Sequence, residues 1–196
     1  MTKTDVRRRQ NTRERILAAS LELFVERGFD GTSVSDIERA VGLAAGTGSF
    51  YRHFRSKDDV FVAAVQRSAT EYIEEFLVVL QELDRIDDPV ERLRRDFHMR
   101  LAAVQTFDPI VRLVNAERER FPELQKTFTT GLELDQWKLG WEDHPLPGIV
   151  MAALVGYGQL SQLEGSPYRD LSPDAFIDAL VDLLVAANVM PPVRKH

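Results

Sequence analysis

The residues that could carry chemistry here are few, and their spacing excludes more than it offers. The chain has no cysteine, so disulfides, Cys-based zinc sites and thiol catalysis are ruled out. Its histidines, His53, His98, His144 and His196, have no partner at helical metal-ligand spacing beyond a loose acidic pair before His144, which argues against a metal centre. Gly46-Thr47-Gly48 follows a helical pattern and not a strand, so it is no dinucleotide loop, and no nucleophile elbow, phosphate-binding Walker loop or paired-carboxylate signature occurs. No cofactor is implied, and the chain is not expected to be an enzyme. What remains is charge. Residues 1–57 hold 11 Lys and Arg against 7 Asp and Glu, a balance of +4, whereas the whole 196-residue chain carries −6. A basic head on an acidic body is the asymmetry of a protein that meets phosphate at one end.

The elements that must position these charges are helices. Apolar residues recur at helical spacing and no segment alternates with period two, so an all-α fold of about nine helices is expected. Ile16, Ala19, Leu23 and Phe24 mark a first helix that stops at Gly28. Ser33 with Asp36 caps a second, whose inner face is Val34, Ile37 and Val41. A third short helix carries Phe50 and Phe54. Three short helices with tight glycine-containing connections have the shape of a helix-turn-helix, whose third helix lies in the major groove of DNA. Ser56 and Asp59 open a long helix through Phe61, Val65, Ser68, Tyr72, Phe76, Leu80 and Leu83. Asp88-Pro89 with Glu91 opens the next, faced by Val90, Leu93, Phe97, Leu101 and Val104. Asp108-Pro109 and Phe121-Pro122 read as two further starts. An apolar helix follows over 149–163, and a last one over about 173–188 presents Phe176, Leu180, Leu183, Leu184 and Ala187. The N-terminus is polar and basic, unlike a secretory signal, and the apolar run 149–158 is far short of the ~20 residues of a spanning helix. A cytoplasmic protein with no membrane partner is expected.

The stretch Arg13–Phe61, RERILAASLELFVERGFDGTSVSDIERAVGLAAGTGSFYRHFRSKDDVF, resembles the DNA-binding domain of the TetR family. The matching parts are ILAA…LF, the RGF-x-x-TSV junction, the I-x-x-A-x-G run and FYRHFRSKDD, in family order. The turn Gly42-Leu43-Ala44-Ala45-Gly46-Thr47-Gly48-Ser49-Phe50-Tyr51 is two residues longer than the usual pattern and resembles a subset of the family. The resemblance implies a homodimer on a palindrome-like double-stranded operator, and a C-terminal body that senses a small molecule and then releases DNA. It implies that residues 1–57 are the DNA-binding domain, with 1–10 a flexible basic arm in which Arg7, Arg8 and Arg9 lie along phosphate or in a minor groove. It implies that Thr32 and Ser33 offer donors to a phosphate at a helix N-terminus. It implies that Tyr51, His53 and Lys57 hold the backbone, and that Thr47, Gly48, Ser49 and Arg52 lie nearest the bases.

Residues 58–196 are then the sensing and dimerising body. Small and apolar residues on more than one face of the last two helices (Ala152, Ala153, Gly156 and Gly158; Ala175, Ala179, Ala186 and Ala187) ask for burial on several sides, and a second copy of the chain is the simplest partner. Aromatics with sparse polar neighbours in the middle helices suggest a pocket for a small, mainly apolar effector. Its candidate lining is Phe97, Arg100, Leu101, Val104, Phe128, Trp137 and Tyr157. The competing readings are a DNA-binding protein without a sensor, and an enzyme acting on an apolar small molecule.

Overall fold

The computed structural model describes residues 3–44, 48–133 and 145–188, with side chains over 11–44, 48–127 and 145–188. Every regular element among the described residues is helical: α1 (Lys3–Arg27), α2 (Val34–Ala40), α3 (Lys57–Leu83), α4 (Pro89–Ala116), α5 (Pro122–Glu133), α6 (Leu146–Glu164) and α7 (Pro173–Ala186), with one-turn 3-10 segments at Phe50–Arg52 and Tyr168–Asp170. The all-α class is as expected. The described α-helices number seven against the expected nine.

Local signals set most helix ends. α1 stops where Gly28 takes φ 75°, a left-handed conformation that glycine adopts without steric penalty. Ser33 and Asp36 form a reciprocal capping box on α2. Asp88 Oδ1 accepts from the backbone N–H groups of Val90 and Glu91 at the start of α4 (2.8 and 3.3 Å). Ser56 Oγ accepts from Asp59 N–H at 3.0 Å, but the Asp59 carboxylate turns back to the N–H of Arg55 instead of Ser56.

Four expectations are corrected. The recognition segment is a single 3-10 turn, Phe50–Arg52, within the described residues, and not a helix reaching Phe54. Asp108-Pro109 opens no new helix, since Pro109 lies inside α4. An interior proline costs roughly 3 kcal/mol, and here apolar burial on both sides (Leu101 before it; Ile110, Leu113 and Val114 after it) outweighs that penalty. On α7 the buried face is Ile177, Val181 and Leu184, while Leu183 and Ala187 are exposed. Finally, the stretch expected as a basic arm is helical from Lys3 and continuous with α1.

The chain forms two compact units. One comprises residues 1–73 with 109–131, the other 74–108 with 132–196. The first is centred on an aromatic cluster: Phe29 stacks on Phe24 at 5.6 Å, and Phe61 meets Phe24 and Phe29 edge-on at 5.1 Å each. Phe121 joins Phe29 at 5.3 Å and Phe61 at 4.7 Å. The second is built on Leu93, Phe97 and Leu101 of α4, Val150, Leu154 and Tyr157 of α6, and Ile177, Val181 and Leu184 of α7.

Candidate DNA-binding site

The helix-turn-helix is held by polar ties between distant backbone segments. Glu38 of α2 is buried, and its Oε1 accepts from the Phe50 N–H at 3.3 Å, fixing the start of the recognition turn. Phe50 and Phe54 are buried beneath that turn, with ring centroids 5.8 Å apart. Arg15 of α1 donates to the Val41 carbonyl at the end of α2 (2.7 Å). Arg67 of α3 pairs with Glu14 of α1 at 3.1 Å and donates to its carbonyl at 2.9 Å. Neither Glu38 nor Arg15 stood out in the sequence. Glu38 left a trace, because positions 34, 37, 38 and 41 together complete the i, i+3, i+4, i+7 pattern of an inner face.

This anchoring leaves Tyr51 60% exposed, its ring edge-on to Phe50 at 5.4 Å. Arg52 beside it is exposed too. Gly48 and Ser49 precede them, half-buried, with Gly48 at φ 73°. His53 is half-buried and ends the turn, its N–H donating to the Phe50 carbonyl at 2.9 Å. Thr47 lies outside the described residues.

Two residues expected on phosphate are occupied inside the fold. Thr32 is buried, and its hydroxyl donates to the carbonyls of Gly28 (2.9 Å) and Leu23 (3.1 Å), which ties the chain after α1 back onto that helix. Lys57 Nζ donates to the carbonyls of Phe29 (2.7 Å) and Thr32 (3.0 Å) and sits 4.1 Å over the Phe29 ring. A lysine that donates to two backbone carbonyls and lies against an aromatic face is a clamp on the α1–α2 junction. Ser33 is exposed at α2, but its N–H and hydroxyl both donate to the Asp36 carboxylate. Those bonds, with Arg39 adding a further contact, hold the Asp36 carboxyl below its ordinary pKa.

In the second unit, Phe97, Leu101 and Tyr157 fall in one packed core. Tyr157 stacks on Phe176 at 4.2 Å, and its hydroxyl donates to the Leu171 carbonyl at 2.6 Å. Val104 is half-buried against Gly158, where a Cβ would lie 3.1 Å from its Cγ1. Arg100 is buried, donates through Nε to Asp96 at 2.7 Å, and sits 5.2 Å over Phe76. Of the expected effector residues, Tyr157 borders an open cleft of about 360 Å³ shared with Gln105, Ser161, Gln162 and Pro173. The side chain of Phe128, and Trp137 entirely, lie outside the described residues.

A basic N-terminal helix-turn-helix joined to a helical body defines a DNA-binding transcriptional regulator. Residues 16–64 match the family model described as bacterial regulatory proteins, tetR family. It is similar to the transcriptional repressor DhaR of Mycobacterium sp. (strain GP1), 27% identical over 182 residues that cover 88% of this chain and 78% of DhaR. Its fold is similar to that of a TetR-family regulator from Mesorhizobium loti, with a TM-score of 0.74 at 17% identity over 95% of this chain and 98% of the other. FadR of Bacillus subtilis, solved in complex with stearoyl-CoA, shares the fold with a TM-score of 0.58 at 15% identity over 88% and 97% of the two chains.

Proposed function

We propose that this protein is a ligand-responsive repressor that binds a palindromic operator as a homodimer in the cytoplasm and leaves it when a small, mainly apolar effector binds the body. The reading rests most on the recognition turn: Tyr51 and Arg52 stand exposed on a segment fixed from beneath by Phe50, Phe54 and Glu38. A rigid, small-residue approach with an arginine at its tip suits entry into a major groove, where a bidentate arginine–guanine contact is worth roughly 1–3 kcal/mol of discrimination. Residues 1–57 are the DNA-holding part and 58–196 the sensing and dimerising part. Ser33, Thr47, Gly48, Ser49, Tyr51, Arg52 and His53 form the DNA face, and Thr32 and Lys57 hold its shape from inside.

Dimerisation through α6 and α7 is supported by the apolar side chains these helices leave in solvent, Ile149, Leu160, Leu163, Leu183 and Val185 among them. α6 is long and apolar enough to cross a membrane by length and composition, but its buried residues pack with α4 and α7 in a core cluster. A second copy of the chain suits the remaining face. The effector site is assigned to the unit that holds Phe97, Arg100, Leu101, Val104 and Tyr157.

Selection of duplexes from random-sequence DNA, followed by affinity measurements across salt concentrations, tests the DNA half. A palindromic consensus and a linear fall of log affinity with log salt are expected. Absence of salt-dependent affinity contradicts the reading. A panel of long-chain acyl and aromatic compounds tests the sensor half, which predicts that at least one dissociates the selected duplex.

A further inference from the structure

Arg120 occupies a position that neither DNA binding nor effector binding has so far used. It lies just beyond the end of α4, where its N–H and that of Phe121 both donate to the Glu117 carbonyl at 3.0 Å. Its side chain reaches the DNA-binding end of the same compact unit. Nη1 donates to Asp30 Oδ1 at 3.1 Å, and Nε lies 3.6 Å from Asp58 Oδ1. The guanidinium sits 4.5 Å over the Phe29 ring, the ring that Lys57 also covers. Asp30 closely precedes Ser33, and Asp58 meets the same guanidinium as Asp30. Both carboxylates therefore stand beside the surface assigned to phosphate, where each opposes DNA.

An ion pair this exposed adds little to stability, because water and salt screen it. Its effect on a polyanion bound nearby is larger, since charges within a Debye length of about 10 Å at 0.1 M salt still act on one another. We propose that Arg120 is a positioning residue for DNA binding that acts as an electrostatic gate: seated between Asp30 and Asp58, it screens two carboxylates from DNA, and withdrawn, it uncovers them and weakens the grip. The inference rests on the proposed reading that Ser33, Tyr51 and Arg52 face the duplex.

The test uses full-length protein and a duplex that the wild type has selected from random-sequence DNA. Arg120→Ala is expected to weaken binding about tenfold near 0.1 M salt, with the deficit shrinking as salt rises. Asp30→Asn with Asp58→Asn is expected to bind several-fold tighter than wild type, and the triple variant to recover wild-type affinity or better. A purely structural role predicts the reverse for the triple variant, because removing the acids cannot restore a lost clamp. A triple variant as weak as Arg120→Ala, or an Arg120→Ala protein that binds like wild type, overturns the gate. If Arg120→Ala does not fold, Asp30→Asn with Asp58→Asn decides alone: tighter binding supports the gate, and equal or weaker binding overturns it. A wild-type protein with no salt-dependent DNA affinity overturns the functional reading and the gate together.

Discussion

Lys57 shows how much a single residue's role depends on what surrounds it. By type and place, a lysine at a helix N-terminus next to a basic head belongs on phosphate. In the fold its ammonium is spent on the carbonyls of Phe29 and Thr32. Lys57→Ala should therefore lower unfolding stability by about 1–3 kcal/mol, the usual loss for charge-assisted bonds to backbone. Denaturant titration reads that loss, and the salt dependence of DNA binding should stay unchanged; a flattened salt dependence would return Lys57 to the phosphate. Asp36 carries a pH dependence of definite sign. Its folded pKa is depressed by the Ser33 bonds first and by Arg39 after them. The support it gives α2 is complete above its unfolded value near 4 and fades as pH falls through the lower folded value. Amide exchange at the first turn of α2 should accelerate only in that acid window, and Asp36→Asn should abolish the acid step.

At the scale of elements, the α1–α2 junction is the tightest part of the head. Between Gly28 and Ser33 the chain reverses within van der Waals reach of α1. A Cβ on Gly31 would lie 2.2 Å from the Arg27 carbonyl oxygen, a distance no side chain tolerates. Gly31→Ala should destabilise by more than about 2 kcal/mol, as backbone-incompatible substitutions do. A thermal midpoint equal to wild type would show that the junction has more slack than described. The recognition turn has the opposite character. It is one turn long, anchored by two phenylalanines and one buried glutamate, and it leaves Tyr51 and Arg52 exposed. Such construction places specificity on a short exposed segment while the helices beneath it supply rigidity.

For the whole molecule, the decisive question is what covers α6 and α7. Leu163 is 83% exposed and Leu183 67%, on helices that each bury one face in the core. Leu163→Glu combined with Leu183→Glu should shift the protein from dimer to monomer in sedimentation velocity while preserving helical content by circular dichroism. Because a palindrome holds two half-sites about one helical turn apart, the same variant should lose most operator affinity. A double variant that stays dimeric moves the interface elsewhere.

Much of this protein was determined by local sequence. The helix ends at Gly28, Ser33, Ser56 and Asp88 follow from capping and glycine chemistry acting over three or four residues, which is why they were legible in advance. The basic head and the motifs over residues 13–61 that resemble a TetR DNA-binding domain were readable for the same reason: the signals are contiguous. The tertiary structure decided what depends on partners far along the chain. It carried α4 through Pro109, because burial on both sides outweighs one missing hydrogen bond. It turned Thr32 and Lys57 inward, onto carbonyls that lie at and beside the α1–α2 junction. It brought Arg120 to Asp30 across 90 residues of sequence. No short-range pattern encodes those meetings, since each requires that two segments be folded before either side chain has anything to bind.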